Sequence, residues 1–360
     1  MKTTPFFEIH NQLGAKMALF GGYQMPIQYS GVKHEHLGVR EKLGVFDVSH
    51  MGEFIVEGPR AFNLLQFICS NDISKLKPGK AQYNYMPNET GGVIDDLIVY
   101  QLNTQKYLLV INASNIDKDW DHIQNQNQKF NAIVTDQSEK TALLAIQGPK
   151  ALTAMQKLCE TDLHLLSNYS HQTTSFGGIK NVMVATTGYT GAGGIEIYFD
   201  VQHAVSIWKA IIEAGNDFGI LPIGLAARDT LRLEMGYCLY GNEIDDQRSP
   251  ISAGLGWITK PNTHFLKAQL HQRSMVRGTV QKLVGFEMNE RGIPRSGYLI
   301  FDTNKNPIGR VTSGTQSPVL NKGIGLGYVK TAFCQPGQTV WIEIRDKYVS
   351  ATLMKLPFIK

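Results

Sequence analysis

Past about Gln272 the chain changes character, and that change constrains its fold more than any other feature of the sequence. Six short strand candidates, at 283–288, 298–301, 308–312, 324–329, 339–344 and 348–355, follow one another with Gly, Pro, Asn and Asp turns between them and almost no helical periodicity. Six strands of this kind close naturally into a small barrel, which removes their unpaired edges. Residues 1–272 alternate helical and strand patterns instead, the mark of mixed α and β units. The expected fold class is therefore α+β, with two interleaved α+β subdomains over 1–272 and a C-terminal β-barrel over 273–360. The boundary zone, 261–272, has no Pro- or Ser-rich linker, so firm packing of the domains is expected.

A chain of 360 residues with 42% hydrophobic and 18% charged residues buries substantial cores and does not stay disordered. The formal charge of +4 is spread along the sequence without a basic run, which argues against nucleic acid as a partner. The same mild bias suits an acidic protein or the polyanionic tail of a small ligand. The first residues lack the apolar core of a signal peptide, and no stretch approaches a membrane span, so a cytoplasmic protein with no membrane contact is expected. Cys69, Cys159, Cys238 and Cys334 lie far apart with no C-x-x-C pair, which disfavours a metal site and a disulfide framework and leaves four reduced thiols filling space.

Helices are expected from Pro59 through Ile68, from a Ser114 cap through Ile123, from Pro149, over 201–214 and over 225–235; strands are expected at 96–102, 107–112, 143–147, 182–186 and 195–199. The most informative segment is Gly91-Gly92-Val93-Ile94-Asp95-Asp96-Leu97-Ile98-Val99-Tyr100. Its glycines permit a tight turn or a close backbone approach. Adjacent strand residues face opposite ways, so one aspartate faces any given pocket while the other caps a turn or meets solvent. Strands 96–102 and 107–112 are joined by a short polar connection, and a hairpin symmetric about Thr104 sets Asp96 opposite Asn112, with Cβ atoms about 4.5–5.5 Å apart. An acid beside an amide at a buried strand end makes a polar site. A capping Asp and a turn Asn at a sheet edge is the structural alternative, and a bulge would shift the register.

This segment, with F-D-V-S-H-M-G (46–52), T-G-Y-T-G-A-G-G-I-E (187–196), G-L-A-A-R-D-T-L-R-L-E (224–234), L-Y-G-N-E-I-D (239–245) and V-T-S-G-T-Q-S-P (311–318), resembles the T-protein family of the glycine cleavage system, in order and along essentially the whole chain. The resemblance implies a three-domain cloverleaf around a central folate channel. It also implies a tetrahydrofolate-dependent aminomethyltransferase, which moves the one-carbon unit from the aminomethyl-dihydrolipoyl arm of the H-protein to tetrahydrofolate as co-substrate. Ammonia and 5,10-methylenetetrahydrofolate are released, and no metal takes part.

By position, the family's central aspartate falls on Asp96. Met51, Tyr83, Asn112 and Tyr189 fall on residues lining the folate cavity, Arg228 on a ligand-binding arginine, and Arg295 on an arginine of the terminal domain. Tyr237 and Tyr240 fall among channel liners, and Arg232 is left structural. A pterin presents adjacent N–H donors, which a buried carboxylate accepts, and Glu196 is assigned to that edge. Each has an ordinary alternative: a core aromatic for Tyr83, gap filling for Met51, a surface strand residue for Glu196, surface ion pairing for Arg228. The four glycines of 188–194 lack the G-K-[ST] ending of a phosphate loop, so a turn that lets backbone approach a flat ligand is expected. His50 reads as a hydrogen-bonded structural histidine or a general base. The chain stops at Pro357-Phe358-Ile359-Lys360, where family members commonly run several residues further. A non-catalytic folate binder, or a docking protein for a lipoylated partner, is the competing reading, because a shared scaffold does not fix an activity.

Overall fold

The computed structural model describes residues 1–360, and no helix in it is long and apolar enough to cross a membrane. The chain divides into two compact units. One comprises residues 1–68, 72–84 and 96–228; the other comprises 69–71, 85–95 and 229–360.

Two sheets organise the first unit. A six-stranded sheet runs His171–Phe176, Ile179–Ala185, Gly194–Asp200, Thr141–Gln147, Gly44–Asp47, Leu221–Pro222. A five-stranded sheet runs Lys80–Pro87, Val93–Asn103, Lys106–Ile111, Gly52–Glu57, Ile133–Asp136. The six-stranded sheet turns Leu144, Ile146, Ile195, Ile197 and Phe199 toward a core closed by the helix Ala204–Gly215, whose Ile207, Trp208 and Ile211 meet them. Strand alternation then sends Glu196 and Tyr198 to the other face. The Tyr100 hydroxyl of the five-stranded sheet reaches the Tyr198 hydroxyl at 3.0 Å, so the two sheets face one another there.

The motif at 46–52 serves partly as an anchor in this unit. Asp47, 1% exposed, accepts from Thr4 Oγ1 at 2.5 Å and from the Ser49 N–H at 2.9 Å, and lies 2.9 Å from His10 Nε2. Burial raises its pKa, but bonding to His10, the His10 charge and bonds from Thr4 and Ser49 outweigh that and leave it lowered.

In the second unit the six C-terminal strands close into a barrel, ordered Gln281–Met288, Gly323–Lys330, Pro307–Gln316, Leu299–Phe301, Thr339–Ile344, Lys347–Met354 and back to the first. Val284, Phe286, Ile300, Val311, Ile342 and Leu353 fill it. The stretch expected to be a boundary contains the 3-10 turn Pro261–Thr263 and the start of the helix Ala268–Arg277, and Gln272 lies within that helix.

One local expectation is corrected. The helix Ile116–Asn127 takes Asn115, not Ser114, as its N-cap residue and has no side-chain cap bond. Gly92 makes the close backbone approach expected of this pair: a Cβ there would stand 2.0 Å from the Asp246 carbonyl oxygen.

Candidate active site

The site begins at the hairpin formed by Val93–Asn103 and Lys106–Ile111. Leu97 stands opposite Ile111 and Ile98 opposite Val110, so the next step of the ladder sets Asp96 against Asn112, as hairpin symmetry predicts. A bulge does occur, between Gln101 and Asn103, but its extra residue is absorbed beside the turn and leaves the far register intact. Asn112 Nδ2 donates to Asp96 Oδ1 at 2.9 Å and to the Asp96 carbonyl at 3.2 Å. The Tyr83 hydroxyl donates to Asp96 Oδ2 at 2.7 Å.

Asn112 occupies the N-cap position of the 3-10 turn Ala113–Asn115 without making a capping bond. Its amide donates to the carboxylate instead, while its carbonyl opens the turn by accepting from the Asn115 N–H at 2.9 Å. Donors on both oxygens fix the plane of the Asp96 carboxylate. All three side chains are half-buried. Asp95 lies on the other face of the strand and is 0% exposed, so of the two fates expected for it, capping a turn or meeting solvent, the second does not hold.

A second carboxylate sits on the facing sheet. Glu196, half-buried, accepts from Thr187 Oγ1 at 2.5 Å, and Tyr100 in turn lies 2.7 Å from Thr187 Oγ1. Burial raises the Glu196 pKa, while bonding to Thr187, the Arg228 charge, and the Tyr198 and Tyr100 hydroxyls pull it back only in part. The half-buried Arg228 guanidinium stacks over the Tyr189 ring at 4.6 Å, and its charge acts on Glu196.

The glycine-rich turn that carries Tyr189 is clamped by one side chain. Gln147, 2% exposed, donates to the carbonyls of Thr187 at 3.2 Å and Ile195 at 3.3 Å and accepts from Thr190 Oγ1 at 2.8 Å. A Cβ on Gly188 would fall 2.0 Å from Gln147 Oε1, so that glycine admits the clamp rather than a ligand.

The GCVT N-terminal domain matches residues 6–263, and the glycine cleavage T-protein C-terminal barrel domain matches residues 281–360. The chain belongs to the glycine cleavage T-protein family. Within that family it is 53% identical to an aminomethyltransferase of Bacteroides fragilis over 362 residues, and 54% identical to one of Flavobacterium psychrophilum over 360 residues. Each match covers 100% of both chains. The crystal structure of glycine cleavage system aminomethyltransferase T from Bartonella henselae superposes with a TM-score of 0.92 at 34% identity, covering 99% of this chain and 98% of that one.

The remaining residues carried over from the family divide between the units. Met51 is half-buried in the first, with its N–H on the Val48 carbonyl at 3.1 Å. Tyr237, 38% exposed, and the exposed Arg295 belong to the second. His50 is 1% exposed and packs edge-on against the Phe20 and Tyr23 rings, and its Nδ1 has no hydrogen-bond partner, so it is not the hydrogen-bonded histidine expected. Burial, reinforced by the Arg228 charge, holds its pKa at about 4; it is neutral at pH 7 and a weak general base.

Arg232, one turn beyond Arg228, is 1% exposed and fully engaged. It donates to Asp229 Oδ1 at 2.8 Å, the Tyr237 carbonyl at 2.9 Å, Glu243 Oε2 at 2.9 Å and Ser313 Oγ at 2.8 Å. The four cysteines are free thiols, and burial pushes the pKa of Cys69 and Cys159 up, away from nucleophilic use. Sequence reasoning missed Gln147, Thr187, Tyr100 and Tyr198. Strand parity was a usable signal for two of them, since Tyr198 shares a face with Glu196 and Tyr100 shares one with Asp96.

Proposed function

We propose that this chain moves the one-carbon unit from the aminomethyl group on the dihydrolipoyl arm of H-protein to tetrahydrofolate, with Asp96 as the central carboxylate. The sulfur–carbon and carbon–nitrogen bonds of the donor break and two carbon–nitrogen bonds to folate form. The two protons leaving the folate nitrogens go to the sulfur and to the departing ammonia. Folate supplies the paired nucleophilic nitrogens; the protein supplies fixed charge and orientation. The observation that carries this reading is Asp96 held through both oxygens by Tyr83 and Asn112.

A carboxylate fixed in this way stabilises the cationic, iminium-like carbon without having to reorient as charge develops. Tyr83 and Asn112 keep it aimed. Glu196, on the facing sheet, accepts from the pterin N–H edge, with Arg228 sustaining its negative charge. Met51 and Tyr189 provide apolar and aromatic walls, and Tyr237 and Arg295 are assigned as further folate contacts by family position alone. The free thiols favour a reducing compartment, and we assign the cytoplasm.

The test mixes the protein with aminomethylated H-protein and tetrahydrofolate and follows ammonia and methylenetetrahydrofolate. Turnover that disappears in Asp96→Ala is expected. Folate binding with no turnover in the unaltered protein would instead identify a non-catalytic folate binder.

A further inference from the structure

Three adjoining cavities in the second unit, about 340, 310 and 390 Å³, share walls, and those walls contain cations but no Asp or Glu. Arg273 and Arg277 line the first, Arg248 lines the other two, and Arg310 and Lys330 line the largest. Gln247 and Ser249 are common to the first pair, and Gln281 and Tyr328 to the second, so the surfaces are continuous. The sequence underlies this arrangement: between Asp246 and Glu287 there is no acidic residue, while Arg248, Lys260, Lys267, Arg273, Arg277 and Lys282 all occur there.

Packing does not explain the cluster. Arg273 and Arg277 lie one turn apart on the helix Ala268–Arg277, where like charges repel at i,i+4. The helix dipole favours a cation in the last turn, which accounts for Arg277 but not for Arg273, Arg310 or Lys330. The His271 ring, which also lines the first cavity, is 1% exposed and its Nε2 has no hydrogen-bond partner. Arg310 donates to the Gly297 carbonyl at 2.8 Å and Lys330 to the Pro307 carbonyl at 3.3 Å, with Asp302 close enough to Lys330 to feel its charge, so the positive charge left over in the groove is concentrated at Arg273, Arg277 and Arg310.

We propose that this groove docks an extended acidic peptide segment of a protein partner, with successive carboxylates meeting Arg273 and Arg277 at one end and Arg310 and Lys330 at the other. Three connected cavities exceed what a single small anion covers. Arginine forks match carboxylates two bonds at a time. Nucleic acid fits less well, because single strands are held by stacking on open aromatic faces. Tyr328, the wall shared by two of the cavities, donates its hydroxyl to the Glu243 carbonyl at 2.7 Å and is covered by Arg248 at 5.3 Å, and the His271 ring is buried. Arg248 is also shared with Asp245 at 2.9 Å, so the outer cations carry more of the attraction. This inference does not depend on which reaction the first unit performs.

The experiment titrates the full-length chain against a fluorescein-labelled hexaglutamate peptide at low salt, reading anisotropy. Saturable binding is expected, weakening by about tenfold in R273E/R277E and weakening again on adding salt. R273Q/R277Q, with circular dichroism as the folding control, carries the test if charge reversal perturbs the helix. The proposal is overturned by absence of binding, by unchanged affinity in both variants, or by equal affinity for an oligothymidine of matching charge.

Discussion

Two buried polar regions built from the same kinds of residue behave in opposite ways. Around Arg232 the ion pair with Glu243 is enclosed, while Asp229 closes the outer side half exposed. Glu243, 0% exposed, accepts from Arg232, from the Leu239 N–H at 3.0 Å and from Thr312 Oγ1 at 2.6 Å. Around Asp96 and Glu196 the groups are oriented with equal care yet remain half open. A closed network holds a fold together; a half-open one is organised for something that arrives later. Arg228 and Arg232 make the same point one helical turn apart, the first stacked on Tyr189 and half-buried, the second tied on all sides.

The sharpest way to break this contrast is Arg232→Met. Removing one partner of a buried pair leaves Glu243 uncompensated, so unfolding in urea should show a loss of about 3–5 kcal/mol. A loss below roughly 1 kcal/mol would mean the knot is not what secures the second unit.

Asp96→Ala is expected to do the reverse. Transfer should fall roughly 10²- to 10³-fold with the urea midpoint nearly unmoved. Its neighbour Asp95 is fully buried, so Asp95→Ala should lose about 1–3 kcal/mol of stability while its turnover per folded molecule falls far less. Equal losses of turnover from the two would erase the distinction between the faces of this strand.

Glu196→Gln should weaken folate binding by roughly tenfold, measured by equilibrium titration. Because burial raises the Glu196 pKa above its ordinary 4.5, the folded carboxyl is protonated in a window where the unfolded chain is ionised. Folding stability contributed by this group therefore falls as pH rises through that window. Folate affinity moves oppositely, declining as pH drops below the raised pKa, and Glu196→Gln should flatten that dependence. The smallest effect is expected from Tyr83→Phe, which keeps the ring and removes one donor from Asp96, costing about 1 kcal/mol in the turnover barrier, or roughly fivefold in rate.

Much of this architecture was legible in the chain because the deciding interactions are local. The barrel strands were readable since alternation and turn residues act over a few positions. The pairing of Asp96 with Asn112 was readable since a short loop leaves few registers, and the bulge at Gln101 happened to fall where it did no harm. The small sheet of Lys2–Thr3, Tyr23–Gln28 and Lys16–Phe20 was not, because strands so short are specified by what they pack against.

What tertiary structure alone decided is which polar residues are closed and which stay open. Arg232 meets Ser313 across 81 positions, and Gln147 clamps Thr187 across 40. The second compact unit takes in 69–71 and 85–95 beside 229–360. No periodicity encodes such meetings, because a side chain's desolvation and its partners depend on where distant segments come to rest, and those two quantities separate Arg228 from Arg232.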